Sequence, residues 1–189
     1  WVLTNNGLGM LAAGNRTIAS YFVETAKKEK GKGQFFYVAQ EYGNEIFFGS
    51  DHGRIWRYQK QGGQFELLQL PASSRIVEIK KINEQAILIV TKTDGFFVYD
   101  VASKGMEHYE ASRLPKAPVR SAYMDKYSEI WFEQEVPGTV AHFNAKTKVL
   151  KTEVIPVEPT STDRSRPAFH VHEDIYGTVW VHPLSLIHI

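Results

Sequence analysis

Five segments of this chain repeat one pattern: a short apolar strand, followed in four of them by a polar turn with glycine and in the fuller copies by a second aromatic strand. They are WVLTNNGL (1–8), EIFFGSDHGRIWRY (45–58), QAILIVTKTDGFFVYD (85–100), EIWFEQEVPGTVAHFN (129–144) and TVWVHP (178–183). Aligned on Trp1, Phe47, Leu88, Trp131 and Trp180, they recur roughly every 40–50 residues. A period of that length, filled with short strands, is the mark of propeller blades. It constrains the fold more than any single motif does, because a unit this small buries its apolar faces only against neighbours of the same kind.

The register extends to both sides of the anchor. Six residues upstream stand Glu41, Asp125 and Asp174, and three upstream stand Asn44, Ser128 and Gly177. These residue types suit the tight turn between a first and a second strand. Three residues downstream come Thr4, Ser50 and Thr91, followed by Gly7, Gly53, Gly95 and Gly138, then by Tyr58, Tyr99 and Phe143 on the next strand. Leu88 lacks the aromatic ring, and Gln134 and Pro183 break the Thr/Ser position, so the repeat is degenerate.

The second strands are apolar on both faces, as in IFF (46–48), ILIV (87–90) and IWF (130–132), which fits sheets covered on both sides. Their apolar runs stop after about five residues and favour β-branched and aromatic types, which argues against helix. The expected fold is all-β: a partial β-propeller, an open arc of four-stranded antiparallel blades cut from a seven-bladed propeller. A partial blade is assigned to 1–33, blades to 34–71, 75–112 and 118–156, and a second partial blade to 167–183. The segment 12–33 fits this scheme least well, and a short helix is acceptable there. LSLIHI (184–189) stands where a turn belongs and reads as a foreign or truncated tail. Trp1, Trp131 and Trp180 recur at the repeat period and are expected in the core between blades, whereas Trp56 lies on a third strand.

Charge and composition exclude several classes of function. Twenty-two basic and 21 acidic side chains are interspersed to a net +1, so no field of one sign points to nucleic acid. The lysine run at 27–32 reads as a solvated loop. No apolar stretch of 18 residues exists to insert into a membrane. The absence of cysteine removes disulfides, thiolate catalysis and zinc–thiolate sites.

WVLTNNGL, GSDHGRIWRY, TKTDGFFVYD and FHVHEDIYGTVWVHP (169–183) together resemble the two-component regulator propeller repeats in the periplasmic sensor region of Bacteroidota hybrid two-component histidine kinases. The pattern of that family is carried by Asp174, Gly177 and Trp180, by Thr4, Asn6 and Gly7, and by Tyr99 and Asp100. The resemblance implies a periplasmic, non-catalytic region that binds oligosaccharides released from polysaccharides. Its signal would reach a membrane helix, a kinase and a DNA-binding regulator elsewhere in the parent chain, and would control genes for glycan use. A second likeness covers one repeat: 128–156 is similar to a unit of streptogramin-lyase propellers, which keeps an enzyme reading open. A propeller scaffold for protein–protein interaction is the other alternative.

Propeller geometry gathers the second-to-third turns and the fourth-to-first connections on one rim, where loops carry variable function. On the turns stand Asn5, Asn6, Asp51, His52, Lys92, Asp94 and Glu135, and on the connections Arg75, Arg113, Lys116, Asp163, Arg164 and Arg166. Of these, Asp51, His52, Arg75, Asp94, Arg113, Glu135 and Arg166 are the expected ligand-binding residues: carboxylates for sugar hydroxyls, arginines for sugar carboxylates. The same residues are also ordinary turn content. Other expected partners are the remaining blades and downstream domains of the parent chain, and a second copy, because a cut propeller leaves sheet faces open. No catalytic residue, cofactor or metal is expected. His170 and His172 alternate on one strand and so share a face, with His182 close in sequence, but no carboxylate follows at a ligand spacing. His142 with Glu133 and Glu135 would supply a lyase's base and acid, and cross-strand surface pairing explains the three equally well.

Overall fold

The computed structural model describes residues 1–4, 7–11, 14, 18–21, 35–134, 136, 138–155 and 169–183. Among them every regular element is a β-strand except one 3-10 turn, Ala111–Arg113. The strands are β1 (Val2–Thr4), β2 (Gly7–Leu11), β3 (Ile18–Tyr21), β4 (Phe36–Tyr42), β5 (Glu45–Ser50), β6 (Arg54–Gln59), β7 (Gln64–Gln69), β8 (Ile76–Lys81) and β9 (Ala86–Thr91). They continue with β10 (Phe96–Asp100), β11 (Met106–Tyr109), β12 (Val119–Met124), β13 (Glu129–Gln134), β14 (Thr139–Asn144), β15 (Val149–Val154), β16 (Phe169–Glu173) and β17 (Val179–Pro183).

Each sheet is a meander in sequence order: β1-β2-β3, β4-β5-β6-β7, β8-β9-β10-β11, β12-β13-β14-β15 and β16-β17. Short connections between consecutive strands leave antiparallel neighbours as the simplest pairing. The middle strands β5, β9 and β13 bury residues on both faces, as their unbroken apolar runs require. The chain divides into two compact units, Trp1–Lys81 and Ile82–Ile189.

In the first unit, Leu8, Phe36, Ile46, Phe48, Trp56 and Tyr58 form a buried cluster, with Leu3, Tyr21 and Phe65 packed against it. In the second, Phe96 is fully buried, with its ring centroid 4.6 Å from Tyr109, 4.9 Å from Phe132 and 5.0 Å from Phe143.

The periodic tryptophans do not fill these cores. Trp180 is 54% exposed, Trp131 is half-buried and Trp1 is exposed, though Trp1 still touches Tyr21, Phe48, Tyr58 and Phe65. Trp56, off the repeat anchor, is the buried one at 7%. The reason is a polar tether. Trp131 Nε1 donates to Asp125 Oδ2 at 3.2 Å, and Trp180 Nε1 donates to Asp174 Oδ2 at 3.0 Å. The other oxygen of each aspartate accepts the backbone N–H groups two and four residues on: Tyr127 and Glu129 for Asp125, Tyr176 and Thr178 for Asp174. At Asp125 and Asp174 the acidic residue six before the anchor is therefore a turn clamp that holds the indole beside the hairpin, whereas Glu41 pairs with Lys60. Core filling falls to the next residue, on the opposite face, where Phe132 is 1% exposed.

Candidate functional site

In both units the turn after a middle strand is laced to the connection that follows the same sheet. Gly53, at φ 64°, donates its N–H to the Ser74 carbonyl at 2.9 Å, and its carbonyl accepts from Leu70 N–H at 2.9 Å. A Cβ at this position would lie 2.7 Å from the Ala72 carbonyl oxygen, so only glycine lets the two segments meet. In the second unit Gly95, at φ 85°, occupies the equivalent place: a Cβ would lie 2.1 Å from the Tyr109 carbonyl oxygen, and Val119 N–H bonds the Lys92 carbonyl at 2.8 Å. The expected pairing of turn with connection is thus built by backbone contact.

In the first unit this lacing brings Asp51 and Arg75 to one tyrosine. Tyr37 Oη donates to the Asp51 carboxylate, 3.1 Å from each oxygen, and the Arg75 guanidinium lies 5.0 Å from the centre of the Tyr37 ring. Phe35 lies beside Tyr37 with centroids 6.3 Å apart and ring planes 13° from parallel. Both rings are about two-fifths exposed, at 40% and 39%. The pairing register of β4 with β5 shifts between Phe36 and Val38, a bulge at Tyr37, and bulges re-aim side chains beside sites. Loss of hydration raises the Tyr37 phenol above its ordinary value, the Asp51 carboxylate raises it further, and Arg75 opposes both. Exposed aromatic rings with a carboxylate acceptor and a guanidinium beside them suit a sugar ring: C–H stacking, hydroxyl donation to Asp51, and a carboxylate or hydroxyl on Arg75. The rings of Phe35 and Tyr37 were not among the expected residues. Their signal is the FFY run at 35–37, aromatic on both faces of a strand start. His52 adopts φ 56° and its carbonyl accepts from Gln69 Nε2 at 2.8 Å, so its established part is to shape the turn.

In the second unit the lacing forms a cleft of about 410 Å³ between the β9–β10 turn and the β11–β12 connection, lined by Lys92, Thr93, Leu114, Pro115, Lys116 and Pro118 among others. Arg113 stands at its side with the guanidinium 5.1 Å from the Tyr109 ring centre. Gln134 Nε2 donates to the Pro115 and Ala117 carbonyls at 2.9 and 2.7 Å and so fixes the connection, while its buried Oε1 has no partner. Asp94 N–H donates to Thr91 Oγ1, and the Asp94 carbonyl meets His108 Nε2 at 2.8 Å. Of the expected rim residues, Lys92 and Lys116 line this cleft, and Asp94 and Arg113 are chain neighbours of lining residues. Glu135 and Arg166 lie outside the described residues, as do Asn5, Asn6, Asp163 and Arg164.

The His142 group differs from the sequence expectation. His142 does not face Glu133: its Nδ1 lies 2.5 Å from Glu129 Oε1, its Nε2 lies 3.2 Å from Glu153 Oε1, and its ring stacks on Trp131 at 4.6 Å. Cross-strand register decides this, because Trp131 is the residue directly opposite His142. With both nitrogens engaged, buried His142 is spoken for as a structural pair. Glu133 instead accepts Val171 N–H at 3.0 Å and meets His170 Nδ1 at 2.8 Å. His170, His172 and His182 do share one face, as alternation requires, because His170 pairs directly with His182 in the β16–β17 hairpin.

No protein-family model matches the sequence, and no curated protein matches it significantly. Solved structures do match. The extracellular domain of BT4673 from B. thetaiotaomicron, described as that of a one-component or hybrid two-component system, superposes with a TM-score of 0.71 at 17% identity over 97% of this chain. The chain has the fold of part of that extracellular domain. The extracellular domain of the hybrid two-component system BT3049 from the same organism gives 0.66 at 14% identity over 96%. The sheets are accordingly those of a partial β-propeller, as the repeat period requires. This chain spans about a quarter of the length of these extracellular domains, 23% in each case. Virginiamycin B lyase from Staphylococcus aureus matches with a TM-score of 0.67 at 13% identity, over 96% of this chain and 64% of the lyase. The extracellular-domain and lyase folds are thus alike at this level, and function rests on the side chains.

Proposed function

We propose that this chain is part of the extracytoplasmic, ligand-sensing propeller region of a hybrid two-component sensor histidine kinase. It lies in the periplasm, binds polysaccharide-derived oligosaccharides, and relays a rigid-body change toward the membrane to control transcription of glycan-use genes. Catalysis belongs to other domains of the parent chain. The observation that carries this reading is the Tyr37 platform: two exposed aromatic rings at a bulge, with Asp51 and Arg75 engaged on the Tyr37 ring itself. The shared fold with two extracellular sensor domains supports the setting. A lyase reading loses its base, because His142 is enclosed by Glu129, Glu153 and Trp131.

A panel of oligosaccharides from plant, algal and host polysaccharides, neutral and uronate-containing, tests the proposal against the 189-residue chain by calorimetry. At least one class binds saturably, and Tyr37→Ala and Arg75→Ala each weaken it tenfold or more with circular dichroism unchanged. Binding that ignores both substitutions defeats the assignment of the site. A panel without binders, together with capture of a second propeller domain, favours the scaffold reading instead.

A further inference from the structure

The exposed face of the β16–β17 hairpin carries three imidazoles, and at its turn Asp174 accepts from Trp180 Nε1 on that face. His170 and His182 are directly opposite across the strands, His172 is two residues along the same face, and Trp180 stands opposite His172. All three histidines are exposed. Their ring centroids are 5.6 Å apart for His170–His182, 5.6 Å for His172–His182 and 6.5 Å for His170–His172. Three rings bound through one nitrogen each, at about 2.1 Å from a tetrahedral ion, hold their centroids about 5 Å apart. The observed triangle is within roughly 1.5 Å of that spacing on every side.

A second observation points the same way. The Glu133 carboxylate lies 2.8 Å from His170 Nδ1, which leaves Nε2 as the free donor. A carboxylate on the far nitrogen is the arrangement that orients metal-ligating histidines and raises their basicity. Glu133 is itself fixed, since the same oxygen accepts the Val171 N–H. The donor nitrogens do not converge as they stand, and among the described residues no group of three or more His, Cys, Asp or Glu side chains is placed to hold a metal ion. With His170 held by Glu133, convergence needs side-chain rotation at His172 and His182.

We propose that His170, His172 and His182 form a binding site for one borderline divalent cation of the zinc or copper(II) class, with Glu133 as a positioning residue. Imidazole donors select these ions over magnesium and calcium, which take oxygen ligands. Three protein ligands leave at least one position for water or for an oxygen of a further ligand. The bound ion also ties β16 to β17 at mid-strand.

Zinc competition against a chromophoric chelator tests the site on the full 189-residue chain. One equivalent binds saturably, magnesium and calcium do not displace it, and His172→Ala weakens binding at least tenfold. Glu133→Gln, which keeps an acceptor for Val171 N–H, weakens it about tenfold, the usual consequence of losing an outer carboxylate. Copper(II) quenches the emission of Trp180, and the quenched fraction disappears in Trp180→Phe while zinc affinity stays the same. His188→Ala leaves binding unchanged. Absence of one-to-one zinc binding, binding indifferent to His172→Ala, or binding abolished by His188→Ala overturns the proposal.

Discussion

Replacing Phe132 and Trp131 by alanine, one at a time, separates the periodic tryptophan from the true core residue beside it. Phe132 is 1% exposed and its ring centroid lies 4.9 Å from Phe96, so its removal opens a cavity in the centre of the second unit. Deleting a buried phenylalanine costs about 3–5 kcal/mol, and loss of the aromatic pair adds roughly 0.5–1.5 kcal/mol. Trp131 is half-buried, stacks on His142 at one face and bonds Asp125 through its indole nitrogen. Its loss removes about half of a full burial term, about 1–1.5 kcal/mol, and one charge-assisted hydrogen bond of about 1.5 kcal/mol. Phe132→Ala is therefore expected to destabilise by about 4–5 kcal/mol and Trp131→Ala by about 2.5–3 kcal/mol. Urea unfolding of the 189-residue chain, followed by far-ultraviolet circular dichroism with linear extrapolation, measures both. If Trp131→Ala costs as much as Phe132→Ala, the indole is core after all, and the tether to Asp125 does not set its position.

Gly95→Ala forces a Cβ to within 2.1 Å of the Tyr109 carbonyl oxygen at a left-handed φ, and is expected to destabilise the second unit by about 3 kcal/mol or more, read from the same urea curves. Alkaline pH supplies a third test. Burial, and then the hydrogen bond to Glu107, hold the Tyr109 phenol well above its ordinary value of 10.0. A group raised in the folded state contributes stability that is fully present below its unfolded value and is lost as pH climbs through the folded one. Thermal unfolding midpoints are therefore expected to fall once pH exceeds about 10, and Tyr109→Phe is expected to flatten that fall. An equal alkaline loss in the variant would assign it to other groups.

The strand pattern was legible because period and hydrophobicity are local. Runs such as ILIV (87–90), followed by Thr91, Asp94 and Gly95, state a both-face-buried strand and its turn without reference to any partner, and β9 and β10 form where they say. The rim was legible in part. Asp51 and Arg75 were singled out by residue type and turn position, and the backbone bonds at Gly53 do bring them together. What joins them, Tyr37, shows in the sequence only as part of the FFY run at 35–37, which does not mark the register shift in β4 beside it.

Partnership across strands belongs to the tertiary structure alone. The sequence places Glu133 nine residues before His142, yet Glu133 meets His170, and His142 meets Glu129 and Glu153. A hydrogen bond depends on distances of a few ångströms, and those are set by which strand lies opposite which and by a register in which one residue's slip reverses every side chain. The sequence by itself determined the period, the strands, the turns and the residue types available to a site. Only the packed sheets decided that periodic tryptophans are tethered at hairpins while Phe132 fills the core, and that three histidines from two strands share one exposed face. Periodicity is a property of the chain, whereas contact is a property of the sheets that the chain builds.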